Sequence, residues 1–438
     1  MLLGASYFFY GSWKVEFLLL LLISTVSDFF IARSIERSQE RKRKKWLLAM
    51  SLFINLGILF FFKYSSFLAT EILSFTSLTD YQKGEVLKFF AFDLPVGISF
   101  YTFQTLGYTI DVYYGRSRAQ QNIGKFALYV SYFPQLVAGP IERYGHLSPQ
   151  LFKRISINYE NLSKGFRLVL YGFFIKMVIA DNLAPLVDQV FGNPGEFDSA
   201  SAGLGVLGFG WQIYADFYGY SLIAIGTAKA MGVNLMDNFK TPYFAKSISE
   251  FWQRWHISLS TWFRDYLYIP LGGNRVSSGF WIRNILAVFL LSGLWHGANW
   301  TFVIWGAIHA LMYIAEKYFP LKWKRDKLHQ KILGFIITYL TVNLAWAFFR
   351  ASNFDHAMDV LSQVFLFRTD GTSLEITNQL FLFLSLFLVI EITSRKVRID
   401  DWFNRFPTAL RWVWYAVFMF CIWGFAGTTN HPFIYFQF

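Results

Sequence analysis

His296 interrupts an apolar stretch that starts at Phe280 and resumes at Trp300, within Leu291-Ser-Gly-Leu-Trp-His-Gly-Ala-Asn-Trp300. An imidazole there can accept a proton near neutral pH. An ionisable group inside an apolar segment is also costly enough to mark a functional position. Gly293 and Gly297 flank it, so backbone or substrate can approach closely. The other reading is a packing histidine bonded to a neighbouring carbonyl, and spacing alone leaves both open. His309 lies 13 residues further on. At about 100° per residue it points away from His296, and it is read as structural.

A second histidine lies in Ser249-Glu-Phe-Trp-Gln-Arg-Trp-His-Ile-Ser-Leu-Ser-Thr-Trp-Phe-Arg-Asp-Tyr-Leu267. As one helix, this segment puts Trp252, Trp255, Leu259, Trp262 and Tyr266 on one face. Arg254, Ser258, Thr261 and Asp265 share another, with His256 at the border. That pattern predicts a helix lying at the membrane interface, with His256 either functional or incidental to an anchor. Gly272 and Gly273 then predict a turn. In Trp211-Gln-Ile-Tyr-Ala-Asp-Phe-Tyr-Gly-Tyr-Ser221, Asp216 sits deep in an apolar run. It could orient a histidine, bind substrate or pair with a base. Lys176 and Asp181, five apart, are poorly matched for pairing on an α-helix. Phe133-Pro-Gln-Leu-Val-Ala-Gly-Pro-Ile-Glu-Arg143 carries two prolines and a glycine, so a broken or re-entrant segment is expected.

The elements that must hold these groups are membrane helices. Of 438 residues, 55% are hydrophobic and 16% charged, against roughly 25% charged in soluble domains. Apolar runs long enough to approach the roughly 20 residues of a span cover Val15–Ala32, Trp46–Phe62, Val86–Tyr113, Gly165–Ala180 and Gly203–Met231. Phe280–Trp295, Trp300–Ile314, Ile332–Phe349, Leu374–Ile392 and Ala409–Phe425 follow. With shorter pieces this predicts an all-α, polytopic membrane protein of roughly ten or eleven membrane helices, some of them not crossing fully. Met1–Trp13 is apolar but short for a span, and it lacks the basic start of a secretory signal.

The formal net charge of +12 reads as topology, because Lys and Arg gather in cytoplasmic loops near anionic lipid. No soluble basic face suggests nucleic-acid binding. Arg33–Lys45, Lys317–Lys331 and the Arg395, Lys396, Arg398 cluster are all expected on the cytosolic side, which puts the C-terminus outside. The single Cys421 excludes an intrachain disulfide. No Walker loop, nucleophile elbow or zinc signature is present, and the seven histidines are dispersed, so no metal is expected. A transporter without chemistry would favour inverted repeats, and none is seen.

In this order the four clusters resemble the membrane-bound O-acyltransferase family, with a core likeness over about residues 94–305 and a weaker one reaching Phe433-Ile-Tyr-Phe-Gln-Phe438. The distinctive stretches are Arg254-Trp-His-Ile-Ser-Leu-Ser-Thr-Trp262 and Gly293-Leu-Trp-His-Gly297. Arg264-Asp-Tyr-Leu-Tyr-Ile-Pro-Leu-Gly-Gly-Asn-Arg275 resembles the bacterial alginate and peptidoglycan O-acetyltransferase branch. The branch differs in two respects: it usually has an acid where Leu222 stands, and a further apolar span ahead of the position of Met1.

The resemblance implies one membrane domain over residues 1–438, with helices around a central tunnel and histidine near its middle. It makes His296 the catalytic histidine and His256 the second characteristic polar position. Asp216, Arg254, Trp295 and Asn299 are the expected substrate-binding or tunnel-lining residues. The implied reaction passes acetyl from acetyl-CoA, with no bound cofactor, to an extracytoplasmic polysaccharide, with His296 as general base. An extracytoplasmic esterase-like partner completes transfer, and the setting is the bacterial inner membrane. Acyl transfer to a lipid or protein, or D-alanyl transfer to teichoic acid, are the alternatives. His256 is expected at a different depth from His296, on the donor side.

The topology is open to test by thiol labelling in a Cys421→Ala background. A cysteine introduced by Lys42→Cys should react with an impermeant maleimide only after the cells are permeabilised. Labelling from outside intact cells would overturn the orientation.

Overall fold

In the computed structural model the apolar runs become helices with nearly the expected limits. The structure describes residues 1–137, 139–154, 156–319, 327–426 and 433–434. Among these no strand forms, and a single isolated bridge joins Phe197 to Thr372. The protein is all-α and polytopic: six helices are each long and apolar enough to cross a bilayer. They are Val15–Arg37, Arg41–Lys63, Tyr159–Gly192, Ser278–His296, Leu328–Arg350 and Thr408–Phe425. Asn378–Ser394 is a shorter apolar helix, while Ser199–Ala230 and Trp300–Tyr318 are long helices interrupted by polar residues. Part of the expected Lys317–Lys331 cluster, including Lys322, Lys324 and Arg325, lies outside the described residues, as does Phe438.

The chain packs as two compact units. The first comprises residues 1–157 and 231–235. Val15–Arg37 packs there against Arg41–Lys63 and Ile98–Tyr113. Lipid supplies no hydrophobic drive for helix association, so buried polar groups contribute. Asp28 accepts from Ser51 Oγ at 2.5 Å and Asn55 Nδ2 at 2.9 Å. Ser24 donates to Asn55 Oδ1 at 2.5 Å. The Val86–Tyr113 run is not one span: Asp80–Lys88 ends, and Ile98–Tyr113 starts after Gly97, whose φ is 74°. A side chain at Gly97 would meet Leu136 O at 2.6 Å. The Pro-rich fourth cluster is broken as expected, with a single turn at Phe133–Leu136. Gln104 and Gln135 both donate to Tyr129 O beside it, at 2.7 and 3.1 Å.

The second unit comprises residues 158–230 and 236–438. Its centre is Ser199–Ala230 against Tyr159–Phe173 and the turns that follow. Glycines face each other across this contact. A Cβ on Gly165 would meet Ala230 N and Gly226 O at 2.6 Å, and one on Gly226 would meet Gly165 O at 2.6 Å. Gly172 and Gly219 relate in the same way, at 2.8 and 2.9 Å to each other's carbonyl. Such close backbone approach is the membrane route to tight packing.

Gly172→Leu should therefore overpack this contact, at a typical cost of about 1–3 kcal/mol, and lower the melting temperature of the detergent-purified protein. Gly84→Ala is the control, since no atom lies within 4 Å of a Cβ there. Equal melting of the two variants would show that the contact is not tight.

Candidate active site

His296 is the last residue of the Ser278–His296 helix and is 3% exposed. The chain turns out at Gly297, which has φ −163° and ψ 154°, and the Trp300–Tyr318 helix begins after an Asn299 cap. The two helices meet without room for side chains. A Cβ on Gly293 would strike Phe302 O, and one on Gly306 would strike Phe289 O. This contact seats the imidazole against Trp305, with centroids 5.1 Å apart, and Phe349, 5.3 Å away. Trp295 lies 5.0 Å from it, edge to face.

His256 is fully buried but does not lie on an interfacial helix. The expected single helix over Ser249–Leu267 is broken. Ile248–Trp252 ends, Ile257–Phe263 starts after it, and a π-turn occupies Arg264–Tyr268. His256 falls between the first two with φ 43°, a left-handed conformation uncommon for residues other than glycine. The break is held by a neighbouring segment. Ile257 N donates to Asn238 O at 3.0 Å, and Lys240 N to Arg254 O at 2.9 Å. The Asn238 side chain completes the hold, accepting from Ser258 Oγ at 2.7 Å and donating to Ser221 Oγ at 3.2 Å. Trp255, on the expected interfacial stripe, is instead fully buried among Tyr214, Phe239, Phe251 and Trp346. The Gly272-Gly273 turn is as expected, with φ of 101° and 56°.

The break turns the His256 ring towards His296. Their centroids are 6.4 Å apart, and Trp295 flanks both, 5.8 Å from His256. The expectation of separate depths is corrected: the two histidines share one aromatic enclosure. At that centroid spacing their nitrogens stay beyond direct hydrogen-bond reach. Phe217 meets His256 edge to face at 4.7 Å. His309, also fully buried, packs on Trp252 and Trp305, both 5.0 Å away.

Other sequence candidates have other surroundings. Asp216 is buried and pairs with Lys176 at 2.8 Å, while accepting from Ile434 N at 2.8 Å. Lys176 also reaches Asp181 at 2.5 Å. Their five-residue spacing works because Phe174–Ala180 is a π-helix, whose repeat aligns positions i and i+5. Arg254 pairs with Glu250 and donates to Thr241 O at 3.4 Å. Asn299 caps its helix by accepting from Thr301 N at 3.0 Å and donates to Ser352 O at 2.7 Å. Trp295 is the member of this set that touches both histidines. Asn238 escaped the sequence reading, because nothing in its spacing separates it from a loop asparagine.

A cavity of about 430 Å³ lies near the site, and neither histidine is among its lining residues. It is lined by Ile285, Phe289 and Ser292 of the His296 helix and by Ile257, next to His256. Positions 285, 289, 292 and 296 follow i, i+4, i+7, i+11 and so share one face. The cavity lines this face as far as Ser292, one turn before His296. A second cavity, about 320 Å³, meets the other side of Asn238 and is lined by Lys240, Arg395, Lys396 and Arg398. The site thus offers a buried imidazole, a second imidazole beside it, and a cavity of small-molecule size nearby. Among the described residues no group of three or more His, Cys, Asp or Glu is placed to hold a metal ion.

Comparison with known proteins identifies the family. The family description "MBOAT, membrane-bound O-acyltransferase family" matches residues 116–354. A probable alginate O-acetylase of Pseudomonas aeruginosa is 41% identical over 84% of this chain and 70% of its own length. A peptidoglycan O-acetyltransferase of Helicobacter pylori is 38% identical over 82% of this chain and 72% of its own. A teichoic acid D-alanyltransferase of Bacillus subtilis is 28% identical over 60% of this chain and 70% of its own. With its membrane helices and its buried histidine pair, the chain belongs to the membrane-bound O-acyltransferase family and is a multi-pass membrane acyltransferase.

Proposed function

We propose that the protein passes an acetyl group from cytosolic acetyl-CoA across the bacterial inner membrane for O-acetylation of an extracytoplasmic polysaccharide, with His296 as general base for the hydroxyl that first receives it. The observation that carries this reading is the position of His296: buried at the end of its helix, 6.4 Å from the His256 ring, with a cavity lined by the same helix face one turn before it. Relatives named as alginate and peptidoglycan O-acetyltransferases, at about 40% identity, support acetyl transfer to a polysaccharide over D-alanyl transfer.

A hydroxyl is a poor nucleophile until a base takes its proton. Nε2 or Nδ1 of His296 takes it as the hydroxyl oxygen attacks the thioester carbonyl. The C–O bond forms, the C–S bond breaks, and the imidazolium returns the proton to the departing thiolate. His256, next to Ile257 of the cavity wall, orients the donor. Arg264, Arg275 and Arg283 flank the start of the His296 helix, so the positive-inside rule supports a cytosolic mouth at that end. The C-terminus then faces outside. An esterase-like extracytoplasmic partner, which would receive the acetyl group and set it on the polymer, fits a base enclosed too tightly to admit a polysaccharide chain directly.

His296→Ala should lower acetylation by about 10²–10⁴-fold, the usual contribution of a positioned base, while the protein inserts and accumulates normally. His256→Ala should raise KM for the donor more than for the acceptor. Near-normal polymer acetylation in cells carrying the His296 variant would refute the assignment.

A further inference from the structure

The end of the chain is tied into the site by a contact that the proposed chemistry does not use. Ile434 donates its backbone N–H to Asp216 Oδ2 at 2.8 Å, across 218 positions of sequence. Asp216 is 1% exposed and Lys176 7%, so this anchor is an ion pair removed from water. A charge is kept in such a place only when partners compensate its desolvation. The bond from Ile434 is one of those partners, of the stronger, charge-assisted kind. The π-helix at Phe174–Ala180 brings Asp181 onto the same ammonium. Turns of this type recur at functional sites.

What the anchor holds in place is Phe433. Its ring is fully buried, 4.3 Å from Tyr220 and 5.6 Å from Phe217. Phe217 stands next to Asp216 in the chain, and its ring meets His256 at 4.7 Å and 86°. Phe239 supports Phe217 from another side at 5.1 Å. A continuous packed path therefore runs from the buried ion pair through Ile434, Phe433 and Phe217 to the His256 imidazole. The edge-to-face contact with Phe217 is one of those that aim the His256 ring.

We infer that Phe433 and Ile434 are positioning residues of the acyl transfer, seated by Asp216 so that Phe433 presses Phe217 against His256. The inference rests on the role proposed above for the histidine pair. Asp216 then neither orients a histidine by direct bonding nor contacts substrate; it acts through the chain end it grips.

Two readouts test this. In a Cys421→Ala background carrying His256→Cys, the buried thiol should react slowly with a membrane-permeant maleimide. Ile434→Pro removes the N–H that Asp216 accepts, and Phe433→Ala removes the ring. Each should speed labelling about tenfold, as local packing opens. This readout needs no catalysis, so it stands even if the proposed reaction fails. With His256 intact, Phe433→Ala should lower acetylation about tenfold or more, because small misplacements at a site are costly. Phe433→Tyr should recover most of it. On a His256→Ala background the same change should cost nothing further, since it acts through that ring. Phe433→Leu serves if the alanine variant does not accumulate. Unchanged labelling would overturn the packed path. Faster labelling with full acetylation, or an undiminished loss on the His256→Ala background, would overturn the positioning role. Retained acetylation in His296→Ala would instead count against the proposed function.

Discussion

Ile257 donates its N–H to the carbonyl of Asn238 at 3.0 Å, and the arrangement of both histidines depends on that bond. Backbone groups inside a membrane protein have no water to turn to, so an irregular segment survives only if other protein groups satisfy it. The break between Ile248–Trp252 and Ile257–Phe263 meets this condition by pairing with residues 238–240. Without the break, a continuous helix would carry His256 on past its neighbour's reach. With it, the chain adopts φ 43° at His256, and the ring comes within 6.4 Å of His296. A left-handed residue costs about 1–2 kcal/mol. Four hydrogen bonds from Asn238 and Lys240 and their neighbours are there to offset it.

This also explains where the sequence was legible and where it was not. Long apolar runs outweigh every local preference in a membrane, so the start of Trp300–Ile314 and both ends of Ala409–Phe425 were readable almost to the residue. The histidine-bearing motifs were readable too, because polar groups in apolar runs stand out. What periodicity misjudged were the places where the helix stops being an α-helix. The aromatic stripe from Trp252 to Tyr266 is a real pattern, but its register is interrupted by pairing to Asn238, a contact remote in sequence. Lys176 and Asp181 looked mismatched on 3.6 residues per turn and are matched once Phe174–Ala180 widens to a π-turn. Each departure is set by a partner on another segment, which no local window contains.

Among the described residues of the second unit, polar groups lie in settings that bear on chemistry. Lys176 sits between Asp216 and Asp181, and Glu391 accepts from Tyr214 OH at 2.6 Å. These are charge and hydroxyl partnerships, and they hold helices together. The imidazoles also meet ring edges: Phe217 at His256, Trp305 and Phe349 at His296, Trp295 at both. Rings of this kind fix orientation through shape and quadrupole while offering few atoms that bind water.

Such a lining suits a transferase that must not become a hydrolase. An activated acyl group near a competent base is consumed by any water that reaches it, and excluding water is a recognised means of preventing that side reaction. His256 is fully buried and His296 is 3% exposed, so bulk water has little access to either ring. The same enclosure dictates how a substrate arrives. In the proposed reaction the donor enters by the cavity lined by Ile285, Phe289 and Ser292, one helical turn before His296. Closing the site to water and closing it to a polysaccharide are thus one constraint. In the proposed reaction that constraint explains why a second, extracytoplasmic protein would be needed to deliver the acetyl group to its final acceptor.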